Sequence, residues 1–245
     1  MTTTSIATVN TVMNRAGAEV GLDPVDDPYA SSAQHWLQMR YLLQTAGEEL
    51  AWAYEWEFLK QNFQVTTSSL DSGEYDLPAD FMYMIDQTGW ERSNNVPLFG
   101  PLSAQDWTYL QGRDLVDRTI YASFRVFDGK FNIFPSPPPD GLDITFEYQS
   151  TYWVRDAVDV NVFTSEITNG SEVLLFDRTL VSRYLKLKWL DSKGFDTTKA
   201  QTDFNQIFGF QTGRDKGAEI LSAGGRPGFP YLNGWTNIAS TGYGL

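Results

Sequence analysis

The chain has no cysteine and a single histidine among its 245 residues. Without cysteine it can form neither a disulfide framework nor a thiolate metal site. The one histidine, His35, leaves oxygen ligands as the only choice for a metal centre, which would mean Ca²⁺ or Mg²⁺. A nucleophilic triad would need His35 as its base, yet no G-x-S-x-G segment accompanies it. We therefore expect His35 to be a surface or interface residue.

Positive charge and long apolar runs are also scarce. Lys and Arg number 18 against 31 Asp and Glu, for a formal charge of −13. A surface that grips nucleic acid needs clustered cations, so we expect none, although an acidic wall would let DNA pass without adhering. No stretch reaches the roughly 18 apolar residues of a transmembrane helix. The N-terminus lacks a basic region followed by an apolar run, so we predict a soluble chain without a secretory signal.

Aromatic residues, by contrast, are abundant at 15% of the chain, and the last twenty residues are rich in them. This segment, RPGFPYLNGWTNIASTGYGL (226–245), carries one charge and several rings among glycines and prolines. Disordered tails are usually charged and poor in aromatics, whereas this one has apolar area to bury and no regular period. We predict an extended arm whose rings dock into pockets on its own domain or on another subunit.

Two helices are predicted near the N-terminus. Residues 5–20 have apolar residues near helical spacing, with Ser5 or a neighbouring threonine as the cap and Gly21 at the end. A turn-rich linker follows, and Ser31 or Ser32 is expected to open the strongest helix. Its apolar positions share one face and are Trp36, Met39, Leu43, Ala46, Leu50 and Ala53.

The middle of the chain changes to the two-residue period of strands. Phe63, Val65 and Thr67 alternate, Ser103 caps a predicted short helix, and Asp128-Gly129 marks a hairpin turn. The segment LDITFEYQST (142–151) places Ile144, Phe146 and Tyr148 on one face, which predicts a half-solvated antiparallel strand. Between them, PSPPPDG (135–141) is interpreted as a rigid connector, with a proline-rich ligand as the alternative.

From Glu166 onward the helical period returns. One long segment contains Leu174, Leu180 and Leu185 and is followed by a second helix that ends before glycines. A basic stripe interleaves the first of these helices, with the members Arg178, Arg183, Lys186, Lys188 and Lys193. Three roles are open for it: binding a phosphate backbone, forming the solvated side of an amphipathic helix, or pairing with an acidic neighbouring subunit.

No motif selects a reaction. The acidic clusters are Asp23/Asp26/Asp27, Glu48/Glu49 and Asp156/Asp159, and none fits a calcium loop. The glycine-rich segments lack the pattern of a phosphate loop. Two carboxylates suffice for glycoside hydrolysis, and Trp90, Trp107 and Trp153 could stack sugars, so a carbohydrate-active protein remains the alternative function. We expect no catalytic residue, no cofactor and no metal.

The order of these features resembles the head-to-tail connector (adaptor) proteins of short-tailed bacteriophages, of the tail tubular protein A and tail accessory factor types. The resemblance rests on an N-terminal helix (TVNTVMNRAGAEVGLDPV), a long helix with an aromatic end (AWAYEWEFLKQ), and a strand followed by GEYDLPADFM. It covers about the first 85 residues. The β-rich bulk of residues 86–165 departs from the compact members of that family.

This resemblance implies a non-enzymatic structural protein of the virion, made in the bacterial host. It implies a ring of about twelve copies between the portal protein and the tail or nozzle protein, with DNA passing through the lumen. The arm would dock on the portal, with Arg226, Phe229, Tyr231, Trp235 and Tyr243 as its contacts. The predicted fold is α+β: a helical bundle (1–62 and 166–223), a central antiparallel β-rich insertion (63–165) and the docking arm (224–245).

Overall fold

A computed structural model of the chain describes residues 7–112 and 123–215. These residues fall into two compact units. The first is drawn from the described parts of Met1–Lys60 and Ser150–Ile220, and the second from the described part of Gln61–Gln149.

Five α-helices and twelve strands make up the described residues. The helices are α1 (Val9–Glu19), α2 (Gln34–Ala53), α3 (Ala104–Gly112), α4 (Arg178–Ser192) and α5 (Thr198–Asp215), with a 3-10 turn at Glu57–Leu59. The strands are β1 (Ala7–Thr8), β2 (Lys60–Thr66), β3 (Glu74–Asp76), β4 (Phe81–Met84), β5 (Trp90–Glu91), β6 (Val96–Pro97), β7 (Ser123–Phe127), β8 (Lys130–Phe134), β9 (Asp143–Ser150), β10 (Val154–Arg155), β11 (Phe163–Thr164) and β12 (Val173–Leu174). None of these helices has the length and apolar character needed to cross a membrane.

The predicted fold class, a helical bundle with one central β insertion, is wrong. The twelve strands form three sheets, of four, five and three strands, and every registered pair is antiparallel. The four-stranded sheet has the order β1-β12-β10-β11, so it uses strands from both ranges that were assigned to the bundle. In the described residues, strands therefore occur in both units and not only in a central insertion. The prediction missed them because strands of two residues carry too weak a sequence period to be recognised.

Helix α1 begins later than its period suggests, at Val9. Thr8 caps it, since its side chain accepts a hydrogen bond from the backbone N–H of Thr11 at 3.3 Å. The residue before it, Ala7, already belongs to β1, whose partner is Leu174. Ala7 and Thr8 thus form a strand where a helix is predicted, and this strand ties the start of α1 to β12.

Helix α2 has the face that the sequence predicts. Trp36, Met39, Leu43, Ala46 and Leu50 are all buried, while Ala53 lies exposed at the end. The predicted cap is wrong, because α2 begins after Ala33, which makes no side-chain capping bond. Gly47 packs directly against Trp153. A Cβ added at this position would lie 2.1 Å from the ring of Trp153, so a larger residue would force the ring to move.

The second predicted helical region contains a loop and a strand before α4. Glu172 is buried and accepts hydrogen bonds from the N–H groups of Thr168 and Asn169, while its carbonyl accepts the N–H of Val9 at 2.9 Å. These small polar residues favour a turn over a helix. Asp177 then caps α4 by accepting from the N–H of Thr179 at 2.8 Å.

The second unit has an aromatic core under its sheets. Its buried members are Phe63, Leu98, Phe124, Phe131, Ile133, Ile144, Phe146 and Tyr148. The alternation around Phe63 and the inward face of β9 are confirmed, but the prediction that β9 is half-solvated is wrong. Thr145 and Gln149 on its other face are buried as well, because β9 is a central strand between β2 and β5.

Turn and cap chemistry was predicted well in this unit. Asp128 and Gly129 both have positive φ, 52° and 69°, and join β7 to β8 in the twist that favours such hairpins. Ser103 caps α3, since its hydroxyl accepts the N–H of Asp106 at 3.1 Å. Residues 135–141 connect β8 to β9, as expected of a rigid connector.

Candidate functional site

The predicted docking residues of the arm, Arg226, Phe229, Tyr231, Trp235 and Tyr243, lie outside the described residues.

His35 lies in the first turn of α2, half-buried, with its ring 5.5 Å from that of Trp36 and tilted by 52°. In residues 7–112 and 123–215, no set of three or more His, Cys, Asp or Glu side chains converges as a metal site would require.

Members of the acidic clusters serve turns and one network between helices. Asp27 accepts the N–H of Ala30 at 3.0 Å, and Asp156 accepts the N–H groups of Val158 and Asp159 at 2.7 and 2.8 Å. The bonds from Asp159 and Val158 hold the pKa of Asp156 below its usual value. These carboxylates are therefore structural acceptors.

Glu49 joins α2 to α4. Its carboxylate accepts hydrogen bonds from the hydroxyl of Tyr184 and from Nζ of Lys188, the latter at 2.6 Å. Burial alone would raise the pKa of Glu49, but the bonds from Lys188 and Tyr184 lower it below its ordinary value. Burial and the neighbouring carboxylate raise the pKa of Tyr184. The network fixes the two helices against each other.

Four cations of the basic stripe on α4 have partners within the chain. Lys186 lies 3.1 Å from the carboxylate of Glu19, and Lys188 pairs with Glu49. Arg183 donates to the carbonyl of Asp203 on α5 at 3.0 Å, and Lys193 donates to the amide oxygen of Gln38 on α2 at 2.6 Å. Two of these cations are thus paired with carboxylates and two bond to neutral acceptors, and together they link α4 to α1, α2 and α5. The three predicted roles of the stripe stay predictions.

Two apolar surfaces of the first unit are left uncovered by the described residues. The first, the α2 stripe, consists of Tyr41, Thr45, Glu48 and Trp52, all exposed. Tyr41 and Trp52 are 68% and 64% accessible. They stand eleven residues apart, which is three helical turns, so both rings project from the same side of α2. This side is opposite to the buried face that contains Leu43 and Leu50.

The second surface, the valine loop, consists of residues 156–162, which connect β10 to β11, and of Phe163, the first residue of β11. Val158 is 93% accessible, and Val160, Val162 and Phe163 are also exposed. The loop is nonetheless well ordered by hydrogen bonds: besides the turn at Asp156, the side chain of Asp159 accepts the N–H of Asn161 at 2.9 Å. It follows that these valines contribute little to the core and are held out towards solvent by the backbone.

The sequence alone missed the valine loop. Its alternation, V-D-V-N-V, is the pattern of a half-buried strand, and only the acceptors Asp156 and Asp159 indicate a turn. In contrast, Trp153, which was considered for sugar stacking, is 1% accessible and belongs to the core. Trp107 packs its ring against Phe134 at 6.3 Å.

No protein-family model matches the chain, and no curated protein matches it at a significant level.

Proposed function

We propose that this protein is a structural assembly subunit, a head-to-tail adaptor that forms a ring between the portal and the tail of a short-tailed phage. The observation that carries the assembly role is the pair of uncovered apolar surfaces on one unit. A well-formed helix face with two exposed rings, and a braced loop with three exposed valines, are the kind of surface that a second protein covers.

The phage assignment is supported by the order of elements in the first 85 residues. Helix α1 is followed by the longer α2, and the aromatic residues directly after α2 form a ring cluster, with Tyr54 and Trp56 at 5.0 Å and Trp56 and Phe58 at 5.6 Å. Strand β2 and the Tyr75-to-Pro78 element come next. This is the order on which the resemblance to the connector proteins rests.

In the proposed ring, the α2 stripe and the valine loop make contacts between neighbouring copies. They are different patches of one unit, so a contact that pairs one patch with the other is head-to-tail, and such contacts form a ring when the rotation between copies closes. The excess of acidic residues would line a lumen that DNA traverses without specific binding. The arm, with Phe229, Tyr231 and Trp235, would engage the portal protein.

Purified full-length protein should be mixed with empty, portal-bearing capsids, and the vertices imaged by electron microscopy. We expect added ring density below the portal, with a copy number near twelve. As a control, the same capsids should bind their natural tail proteins. Bare vertices on capsids that pass this control would refute the adaptor function.

A matched pair of variants tests the arm separately. Trp235→Ala should reduce attachment to the portal, because buried aromatic side chains dominate interface energies. Asn237→Ala, two residues away, should attach normally. Equal attachment by both variants would exclude Trp235 from the contact, and a truncation of residues 226–245 that still attaches would exclude the arm.

A further inference from the structure

Helix α5 is much less buried than the other helices of its unit. Ala200 is the one buried residue among its 18, whereas α1 buries five of 11 residues, α2 seven of 20 and α4 six of 15. Its inward residues, such as Phe204 and Phe208, are only half-buried. Because most of the stability of a protein helix comes from packing an apolar face, α5 gains less from the fold than its neighbours do.

A few aromatic contacts hold α5 in place. The ring of Phe204 stacks on that of Tyr184 with centroids 4.3 Å apart and an angle of 20°. The ring of Phe208 meets the edge of Trp56 at 6.0 Å. These contacts lie on the side of α5 that faces α4 and the segment after α2. Phe210, on the other side of α5, is exposed.

The remaining links between α5 and its unit are mostly single hydrogen bonds. The hydroxyl of Tyr54 donates to the carbonyl of Thr212 at 3.0 Å, and the N–H of Glu57 donates to the carboxylate of Asp215 at 2.7 Å. A short connection leads back to α4 through Gly194, whose φ of 71° suits glycine best. Segments with few buried apolar contacts open at a lower free energy than the core around them.

We propose that α5 is a strap that opens from α4 as a separate unit while α1, α2 and α4 stay folded. Opening breaks the Phe204–Tyr184 stack and uncovers the ring of Trp56. Since residues 216–245 follow α5 directly, its release lengthens their tether by about 27 Å if the 18 residues remain helical. The use of this reach for docking the arm rests on the proposed function, whereas the opening itself does not.

Hydrogen exchange of the full-length protein, followed by mass spectrometry, tests the opening without any partner. We expect the amides of α5 to exchange at least about 100-fold faster than those of α2 and α4. Exchange of α5 at the rate of α4 would overturn the proposal, because the two helices would then open together.

Two phenylalanines on α5 provide a matched pair for the same measurement. Phe204→Ala should accelerate exchange in α5 by a further factor of about ten and leave α2 and α4 unchanged. Phe210→Ala, on the exposed side, should leave all three helices unchanged. If Phe204→Ala accelerates α4 equally, or unfolds the whole unit, α5 belongs to the cooperative core and the strap does not exist.

Discussion

Glu49 shows how one half-exposed carboxylate links two helices. Its carboxylate accepts hydrogen bonds from Lys188 and Tyr184, which both lie on α4. The side chain of Glu49 keeps 41% of its accessibility. Solvent screens such a pair, so its contribution to stability is on the order of 1 kcal/mol or less. The network matters more for the register of α2 on α4 than for the total stability.

We predict a pH dependence at this site. The folded-state pKa of Glu49 is lowered, so its stabilising effect is full above the unfolded-state pKa and is lost as the pH falls through the folded-state value. Glu49→Gln should therefore lower the free energy of unfolding at pH 7 by up to about 1 kcal/mol, and the difference should shrink towards pH 3. Urea unfolding at several pH values measures this. Glu48→Gln, on the exposed side of α2, is the control and should show no such trend.

Gly47 tests the packing of the core at a single Cβ. Alanine is the better helix former by about 1 kcal/mol, so a Gly→Ala change in a free helix should stabilise it. At Gly47 the new Cβ would lie 2.1 Å from Trp153, whose ring is fully buried and has little room to move. We predict that Gly47→Ala destabilises the protein by about 1–3 kcal/mol.

The control for this change is Gly209→Ala in α5, where nothing lies within 4 Å of the added Cβ. It should stabilise the protein slightly or leave it unchanged. Thermal or urea unfolding of both variants gives the comparison, and a stabilising Gly47→Ala would mean that Trp153 can shift at little cost.

Among whole elements, the turn of the valine loop is held by the side chain of Asp156. It accepts two backbone N–H groups, at 2.7 and 2.8 Å, and so holds the turn that displays Val158. We predict that Asp156→Ala removes this brace and increases the hydrogen exchange of residues 158–162 by about tenfold, because two backbone N–H groups lose their acceptor. Asp156→Asn, which keeps a side-chain oxygen, should restore most of the protection. Equal exchange in all three proteins would show that the loop is ordered without Asp156.

The sequence was informative about elements wherever the period was long or the turn chemistry strong. The 20-residue α2 shows its buried face through Trp36, Met39 and Leu43, and Asp128-Gly129 identifies its hairpin. It failed where strands are two residues long, as at Leu174, since an isolated apolar pair fits a helix equally well. It also failed for Gln149, because burial of a polar residue depends on the neighbouring strands rather than on its own segment.

The candidate surfaces were still harder to predict. The period of α2 places Tyr41 and Trp52 opposite its predicted buried face, but large aromatic residues on a second face are as readily explained by a second packed neighbour as by exposure. Their exposure follows from the position of α4, which packs on the opposite side through Glu49 and Lys188. Surfaces of this kind are set by tertiary packing, so only the fold reveals them.

For the molecule as a whole, net charge opposes self-association and apolar surface favours it. Each copy carries a formal charge of −13, with 31 acidic residues against 18 Lys and Arg, and two of the cations of α4, Lys186 and Lys188, are already paired within the chain. Repulsion between copies is screened within about 10 Å at 0.1 M salt. Association through the α2 stripe should therefore strengthen as salt is added, whereas an interface built on ion pairs would weaken.

We predict that Trp52 contributes to contacts between copies under these conditions. Trp52→Ser should weaken self-association in 0.5 M salt at least about tenfold, the loss expected when an interface tryptophan is removed, and leave the unfolding free energy within about 0.5 kcal/mol because the ring is exposed. Trp52→Phe keeps an aromatic ring and should associate nearly as wild type. Sedimentation velocity at 0.05 and 0.5 M salt compares the three proteins. The comparison applies where the wild type forms oligomers. If the serine variant then associates as strongly as the wild type, the α2 stripe is not the contact, and the valine loop is the next surface to change.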